Sequence, residues 1–431
     1  MFPSLSFRLP FFRGSGSGGS SSSAGDQGRR IELPSVAVHD IETEKAARGR
    51  TLKHLVKANH ANYSVIYHEL RFHNHMPHLL GSAYVLGGTK EHLNEVYDTE
   101  AAGLEPWVDS PGEVSEEDWR EFLGGRAYQR AFVDFFEDQL VLKRYDWKAL
   151  LGEYMFEGKE PLVNGLISGL GHPLIHLGYA YELNSSSLAI EALALAACFY
   201  SPIRKYLDDP TYTRPAPFTS TAPLELIQRL SADTRFDGLF DHGGSDNIDK
   251  LFAEHEDLVL EYWNAWELSD PRQQFEDSQK AAVALLVATQ EVGKEKFDFF
   301  AVHLLTTSHA VRILLPLVPA RWHVSLVRQW WLFTLSVYIA QLRPKVELER
   351  ITGYELEGRG WKFVVDKALK SEHALDAHFV KALRAMKVAS ETWGDPQDFY
   401  LKAAVRFADS FADWGGFAAS NADGDDVRYH Y

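Results

Sequence analysis

Apolar positions recur at spacings of three and four residues from about residue 31 onward, which is the period of α-helices with one buried face. The spacing is clear in residues 52–59, 188–200 and 281–292. Residues 326–342 are apolar on nearly every side, which predicts a helix buried at the centre of the fold. Alternating strand patterns with tight hairpin turns are nearly absent. The pattern therefore predicts an all-α protein.

The start of the chain has a different composition from the rest. Residues 14–23 read Gly-Ser-Gly-Ser-Gly-Gly-Ser-Ser-Ser-Ser, which cannot build a hydrophobic core. We expect residues 1–34 to form a flexible, disordered tail, although Arg8 and Arg13 among serines leave a transit peptide as the alternative. No linker composition and no internal repeat follows. Residues 35–431 are therefore predicted to form one large multi-helix domain.

Charge and cysteine content exclude several classes of function. The net charge of −16 repels phosphate backbones and anionic lipid surfaces, so we expect neither nucleic acid nor membrane as a partner. No run approaches the roughly 20 apolar residues that cross a bilayer. Cys198 is the single cysteine, which excludes an internal disulfide and a thiolate-built metal site. The reducing cytoplasm is the expected compartment.

The chain contains 18 histidines, and many of them fall into four clusters. The clusters are residues 73–78 (His-Asn-His-Met-Pro-His), 171–176 (Gly-His-Pro-Leu-Ile-His), 303–309 and 373–381. A lone histidine is usually a surface residue or a hydrogen-bonded core residue. Four clusters within helical segments are different, because helices that face one core can bring imidazole ligands together from distant positions. The clusters therefore predict a metal site, although none has the His-Glu-x-x-His spacing of a metalloprotease.

Helix geometry narrows the choice of ligands in the second and third clusters. Pro173 favours a first helical turn, which places His172 at the cap and His176 one turn inside. His303 and His309 are six residues apart and point to different sides of a helix, so at most one of them should be a direct ligand.

The first and fourth clusters are less well determined. Pro77 disfavours a helical conformation at the residue before it, so His75 and His78 need not share a face. His378 and Lys381 do share a face, whereas His373 points elsewhere. A lysine at such a position is more often a solvated surface charge. A functional Lys381 beside a cation would have to be deprotonated or carbamylated.

At these segments the sequence resembles the questin oxidase-like family, which is known from fungal aromatic polyketide pathways. Four stretches within about residues 58–407 carry the resemblance. They are residues 72–78 (Phe-His-Asn-His-Met-Pro-His), 171–180 (Gly-His-Pro-Leu-Ile-His-Leu-Gly-Tyr-Ala), 303–306 (His-Leu-Leu-Thr) and 378–381 (His-Phe-Val-Lys).

The resemblance implies an all-α fold and an oxygen-dependent oxidation that cleaves an anthraquinone ring, as in the conversion of questin to a benzophenone. It implies five metal ligands, namely His75, His172, His303, His378 and Lys381. It also suggests an outer-sphere or substrate role for His176 and His309, and we expect His176 to take a phenolic proton from the substrate.

A Baeyer-Villiger-type label is attached to such enzymes, and that chemistry ordinarily uses a flavin with a nicotinamide. No strand followed by G-x-G-x-x-G and a helix occurs in this chain. We therefore expect Fe(II) to activate O₂ as a non-haem mono- or dioxygenase acting on an aromatic polyketide, with NADPH as a further possible cofactor. Three alternatives stay open: a flavin-independent, NADPH-dependent monooxygenase, a metal-dependent hydrolase, and a non-enzymatic helical binding protein.

Overall fold

The computed structural model describes residues 30–158, 161–290, 293 and 296–417, and residues 1–29 of the expected tail lie outside this part of the chain. Within it the protein is all-α. The helices are α1 (Ala47–Asn62), α2 (Met76–Val85), α3 (Lys90–Ala101), α4 (Gln129–Leu142), α5 (Trp147–Leu151), α6 (His172–Glu182), α7 (Ser186–Cys198), α8 (Lys205–Asp208), α9 (Pro223–Ser231), α10 (Asn247–Ala265), α11 (Pro271–Val287), α12 (Phe299–Leu314), α13 (His323–Ala340), α14 (Glu349–Thr352), α15 (Trp361–Lys370), α16 (Ala377–Trp393) and α17 (Phe399–Ser410).

Sheet structure in the described residues is limited to two short pairs. Strands β1 (Ile66–Tyr67) and β2 (Phe72–His73) are antiparallel, with Ile66 opposite His73. Strands β3 (Lys296–Asp298) and β4 (Asp413–Gly415) are parallel and lie directly before α12 and after α17. Each pair therefore fixes a chain segment next to a helix, and neither forms a layer of the fold.

Two helices form the centre of the molecule. All residues of α12 are buried, and α12 packs against α6, α11, α13 and α16. Helix α13 is the predicted central helix, and its buried residues include Trp330 and Trp331. Both indoles donate hydrogen bonds to backbone carbonyls, Trp330 to Leu304 and Trp331 to Tyr262. Polar groups of the largest side chains are thus satisfied inside an otherwise apolar core.

Residues just before the predicted boundary at residue 34 already pack against the rest of the described chain. Ile31 is buried, and its backbone N–H donates a hydrogen bond of 3.1 Å to Nδ1 of His323. The carbonyl of Pro34 accepts a hydrogen bond from Arg312.

Among the described helices, no single one is both long enough and apolar enough to cross a bilayer, although the bent pair α7 and Pro202–Asp208 has a suitable length and composition.

Candidate metal centre

Four histidines meet in the interior, each at or near the N-terminal end of a different helix. His75 directly precedes α2, His172 opens α6, His303 lies in the second turn of α12, and His378 is the second residue of α16. All four are buried, and one ring nitrogen from each lies within 4.8 Å of the others. The structure thus brings together the four histidines that the family resemblance implies as ligands.

Local backbone structure aims two of these rings. Gly171 adopts the left-handed conformation (φ +75°) and lets the chain turn sharply into α6. The adjacent ring of His172 donates its Nδ1–H to the carbonyl of Gly169 at 2.7 Å. In α12, His303 donates its Nδ1–H to the carbonyl of Phe299 at 2.8 Å. Both rings therefore have an unprotonated Nε2. A hydrogen bond from the other ring nitrogen is the usual contact that orients a metal-binding histidine.

A cap and a strand pair fix the start of α16. The carboxylate of Asp376 accepts a hydrogen bond from the backbone N–H of Phe379 and another from the indole N–H of Trp414, each at 2.8 Å. Trp414 belongs to β4, which pairs with β3 immediately before α12. The helices that carry His303 and His378 are thereby tied to each other at the ends nearest the four histidines.

Burial keeps the four imidazoles uncharged. Loss of water contact lowers the pKa of His303 to about 3, and it holds the pKa values of His75, His172 and His378 well below their usual range. Neutral imidazole is the form that binds metals. The four rings are therefore ready to act as ligands at neutral pH without losing protons.

The spacing of the ligand atoms fits a first-row metal. Imidazole nitrogens bind such metals at about 2.1 Å, so donors on opposite sides of an ion are about 4.2 Å apart. Nε2 of His75 and Nε2 of His172 are 2.8 Å apart, and the widest separation in the set is within 4.8 Å. Small rotations of the four histidine side chains are enough to change these separations to the spacing of donors around one ion. The Nε2 of His303 is buried with no hydrogen-bond partner in the described part of the chain, which a metal bond would satisfy.

The backbone conformation before α2 differs from the sequence expectation. Pro77 was expected to keep Met76 out of the helix, but Met76 is the first residue of α2, and its N–H donates to the side chain of Asn74. Proline is accepted there because it lies in the first helical turn, where its missing N–H needs no partner. The rings of His75 and His78 consequently lie near each other, with centroids 5.6 Å apart.

Lys381 is buried on α16, one turn after His378, so it is not a solvated surface residue. Its ammonium nitrogen has no hydrogen-bond partner among the described residues. Burial lowers the pKa of Lys381 to about 7, which makes the neutral amine accessible. The side chain lines a cavity of about 10 Å³ together with His309 and Thr306. Its role as a fifth ligand stays a prediction.

His176 and His309 lie outside the group of four. Nδ1 of His176 is 3.0 Å from Nε2 of His78, and its Nε2–H donates to Glu191 at 2.6 Å. His309 is on another side of α12 from His303, as the six-residue spacing predicted. His373 is also outside the group and packs edge-on against Phe411.

The sequence did not single out several residues that surround the centre. The ring of His73 stacks on His172 with centroids 3.7 Å apart, and His60 joins Glu191 to Glu137. Glu191 did leave a signal, because it is the one acidic residue in the otherwise apolar stretch 186–198. A buried acid on such a helix needs a partner, and two histidines provide it.

A cavity of about 520 Å³ lies beside the histidine centre. Its lining includes Gly169, whose carbonyl holds the ring of His172, and Phe199, whose ring lies 4.6 Å from that of His73. The other rings in its wall are Tyr200, Tyr206, Phe252 and Phe333. Arg126 and Lys205 supply positive charge, Asp249 supplies negative charge, and serine hydroxyls supply hydrogen-bonding groups. Lys205 is also paired with Glu256 at 2.6 Å. A flat aromatic molecule that carries hydroxyl or carbonyl groups matches this lining.

An all-α protein with a buried centre of four neutral histidines is the class that the fold and the site define. The family model described as questin oxidase-like matches residues 72–386, which include all four histidines and Lys381. The chain belongs to the questin oxidase-like family.

Individual relatives agree with this assignment. The chain is 26% identical to a questin oxidase of Aspergillus fumigatus, over 78% of this chain and 80% of the relative. It is 26% identical to the Baeyer-Villiger oxidase mdpL of Emericella nidulans (81% and 84% covered) and to the oxidoreductase AflY of Aspergillus parasiticus (85% and 78% covered). The names of these relatives support an oxidoreductase, and the resemblance inferred from the sequence is confirmed.

Proposed function

We propose that this protein is a non-haem iron oxygenase that opens the quinone ring of an anthraquinone such as questin, giving a benzophenone in a fungal aromatic polyketide pathway. The observation that carries the proposal is the pair of backbone-held rings, His172 and His303, whose bare Nε2 atoms face two further neutral histidines. Family membership supports an oxidoreductase.

His75, His172, His303 and His378 would hold the metal, with Lys381 as a fifth candidate ligand. Iron bound there supplies the one-electron redox chemistry that reaction with O₂ requires. Ligands of this kind, imidazole nitrogens without a thiolate, are suitable for iron. The four helix starts present positive partial charge to the same space. This field favours an anion beside the metal, and the phenolate of a hydroxyanthraquinone is such an anion.

The proposed substrate site is the 520 Å³ cavity. Phe199, Phe252 and Phe333 would pack against the fused rings, while Arg126 and Lys205 would face the oxygen substituents. Gly169 in the wall of this cavity accepts the hydrogen bond from His172, so the cavity adjoins the histidine centre at this point.

The reaction breaks the bond between a quinone carbonyl carbon and the neighbouring aryl carbon, and each carbon gains a bond to oxygen. One quinone and one O₂, with two electrons and two protons, give one ring-opened acid. NADPH is the class of donor that supplies the electrons, either to the enzyme or to the quinone beforehand. The sum is the same whether one oxygen atom is retained and water opens an ester, or both oxygen atoms are retained. Labelling with ¹⁸O₂ distinguishes the two routes.

The acidic net charge supports small-molecule partners, namely O₂ and the polyketide, rather than nucleic acid or membrane. The single cysteine suits a cytoplasmic location.

The test is O₂ uptake by metal-free, iron-loaded and zinc-loaded protein, with questin as the substrate and NADPH as the reductant. We expect one O₂ consumed per ring-opened product with iron, and none with zinc. Product formed with zinc and without O₂ would instead favour the metal-dependent hydrolase. Metal well below one atom per chain after desalting, with no turnover, would favour a binding protein.

A further inference from the structure

A chain of hydrogen bonds runs from the protein surface to the edge of the histidine centre. His60 on α1 donates from Nε2 to Glu137 at 3.0 Å and from Nδ1 to Glu191 at 2.7 Å. The second oxygen of Glu191 accepts the Nε2–H of His176 at 2.6 Å. Nδ1 of His176 lies 3.0 Å from Nε2 of His78. One residue each from α1, α4, α6 and α7 thus forms a path of hydrogen bonds. The path ends at His78, whose ring lies near that of His75.

Burial increases in one direction along this chain. The side chain of Glu137 is 43% exposed and that of His60 is 11% exposed, whereas those of Glu191 and His176 are each 1% exposed. One end therefore exchanges protons with water, and the other end lies inside the protein.

The hydrogen bonds fix the position of each proton. His60 has a carboxylate at each ring nitrogen and so donates from both, which makes it an imidazolium. Burial alone would lower the pKa of His60, but the bonds to Glu137 and Glu191 raise it to about 9. Burial alone would raise the pKa of Glu191, but the bonds from His176 and His60 lower it to about 2. A buried cation and a buried anion are therefore paired at neutral pH.

The inner end of the chain is a contact between two histidine rings. His176 donates from Nε2 to Glu191, and its Nδ1 lies 3.0 Å from Nε2 of His78. Nδ1 of His78 has no hydrogen-bond partner in the described residues. The chain of hydrogen bonds therefore reaches from Glu137 to the rings beside the centre.

We infer that Glu137, His60, Glu191 and His176 form a proton store that takes up one proton from the interior while releasing another to water. In the forward step a proton arrives at Nδ1 of His176, His176 passes its Nε2 proton to Glu191, and Glu191 becomes neutral. His60 then loses its Nε2 proton through Glu137 to solvent and becomes neutral as well. One proton has entered and one has left, so the number of uncompensated buried charges is unchanged.

This inference rests on the proposed function, which supplies the proton. Ionising a phenol of the bound hydroxyanthraquinone produces a proton that must leave the substrate. The store accepts it during the reaction and returns it to the product, and the pair Glu191 and His60 recharges from the surface.

The experiment has one part that needs no substrate. In protein labelled with [¹⁵N]histidine, the His60 ring should show the chemical shifts of an imidazolium at pH 7, and Glu137→Gln should reduce that charge. A neutral His60 in the wild-type protein at pH 7 would overturn the inference, because it would have no proton to release.

The second part measures anaerobic binding of a hydroxyanthraquinone to metal-free and iron-loaded protein, where the visible spectrum distinguishes phenol from phenolate. We expect wild-type protein to bind the phenolate and release about one proton per ligand. The variant His60→Gln, which keeps a hydrogen-bonding side chain but cannot release a proton, should lower the phenolate fraction about tenfold. His323→Gln is the matched control. His323 is a buried histidine whose hydrogen-bond partners are backbone groups, and it does not belong to the hydrogen-bonded chain of Glu137, His60, Glu191 and His176.

Glu137→Gln offers the same test at a partly exposed position where folding is safe, and its neighbour Asp138→Asn is the control. Equal phenolate formation in wild type, His60→Gln and Glu137→Gln would refute the proton store alone and leave the proposed function standing. Absence of any hydroxyanthraquinone binding to the wild-type protein would refute both.

Discussion

His75 and His172 are 97 positions apart in the sequence, yet their Nε2 atoms lie only 2.8 Å apart in the core. Nδ1 of His172 is occupied as a donor to the carbonyl of Gly169, so its Nε2 carries a lone pair. Two ring nitrogens held this close in a buried site share either one proton or one metal ion. A shared metal ion would also account for the convergence of His303 and His378 on the same point.

Removal of a ligand should abolish metal binding. We expect His172→Ala and His378→Ala to lower affinity for iron by more than about 100-fold, because each loses a direct ligand rather than a supporting contact. His373→Ala should retain metal as the wild type does, since His373 packs against Phe411 outside the group. Metal content by mass spectrometry after desalting measures this, and full occupancy in His172→Ala would contradict the ligand assignment.

The turn before α6 should be sensitive to a single methyl group. Gly171 has φ +75°, and a Cβ placed on it would lie 2.3 Å from Cγ2 of Thr307. Gly171→Ala should therefore lower the free energy of unfolding by about 1–3 kcal/mol and weaken metal binding by displacing His172. Gly360→Ala is the control, because no atom lies within 4 Å of a Cβ added there. Denaturant unfolding and metal titration measure the two effects, and an unperturbed Gly171→Ala variant would contradict this description of the turn.

A buried carboxyl group should make stability depend on pH. Burial raises the pKa of Glu100 to about 8, so the folded state binds more protons than the unfolded state between about pH 4.5 and pH 8. The contribution of this group is fully present below the unfolded pKa and is lost as the pH rises through the folded pKa. Glu100→Gln should match wild type at pH 5 and be more stable by about 1–3 kcal/mol at pH 8.

Chemical denaturation of metal-free protein at the two pH values measures this difference. The exposed neighbour on the same helix, Asp98→Asn, should show the wild-type pH dependence. A constant difference between Glu100→Gln and wild type at both pH values would show that Glu100 does not titrate in this range.

The cavity wall should determine substrate affinity without affecting the metal. Phe252 lines the cavity and stacks on Tyr206 with centroids 5.5 Å apart. Phe252→Ala should raise KM for a hydroxyanthraquinone about tenfold, the effect of losing one aromatic contact, and leave iron content unchanged. Phe240→Ala, at a half-buried phenylalanine that does not line this cavity, should leave KM unchanged. An unaltered KM in Phe252→Ala would place the substrate elsewhere.

The helices were predictable from the sequence because the helical period is directly visible in it. Residues 326–342 were predicted as a buried central helix, and α13 occupies His323–Ala340. The helix ends early because Leu342 and Arg343 adopt left-handed backbone conformations, and Leu342 is exposed. An apolar pattern contains no information about such a turn at a non-glycine residue.

Convergence of the histidines was predictable in part. Helix geometry excluded His373 as a ligand and allowed only one of His303 and His309. The choice among the remaining candidate ligands came from the family resemblance alone. The contacts that aim His172 and His303 are with backbone carbonyls, which every residue carries, so no residue type marks them. Glu191 and His60 are far apart in sequence, and their pairing depends on how α1 packs against α7.

Anomalous diffraction at the iron absorption edge, from crystals of the iron-loaded protein, shows directly whether the four histidines hold the metal. We predict one strong peak per chain among the rings of His75, His172, His303 and His378, at about 2.1 Å from the ligand nitrogens. The absence of an iron peak at this position in fully loaded protein would contradict the account, and so would a peak at any other group of residues.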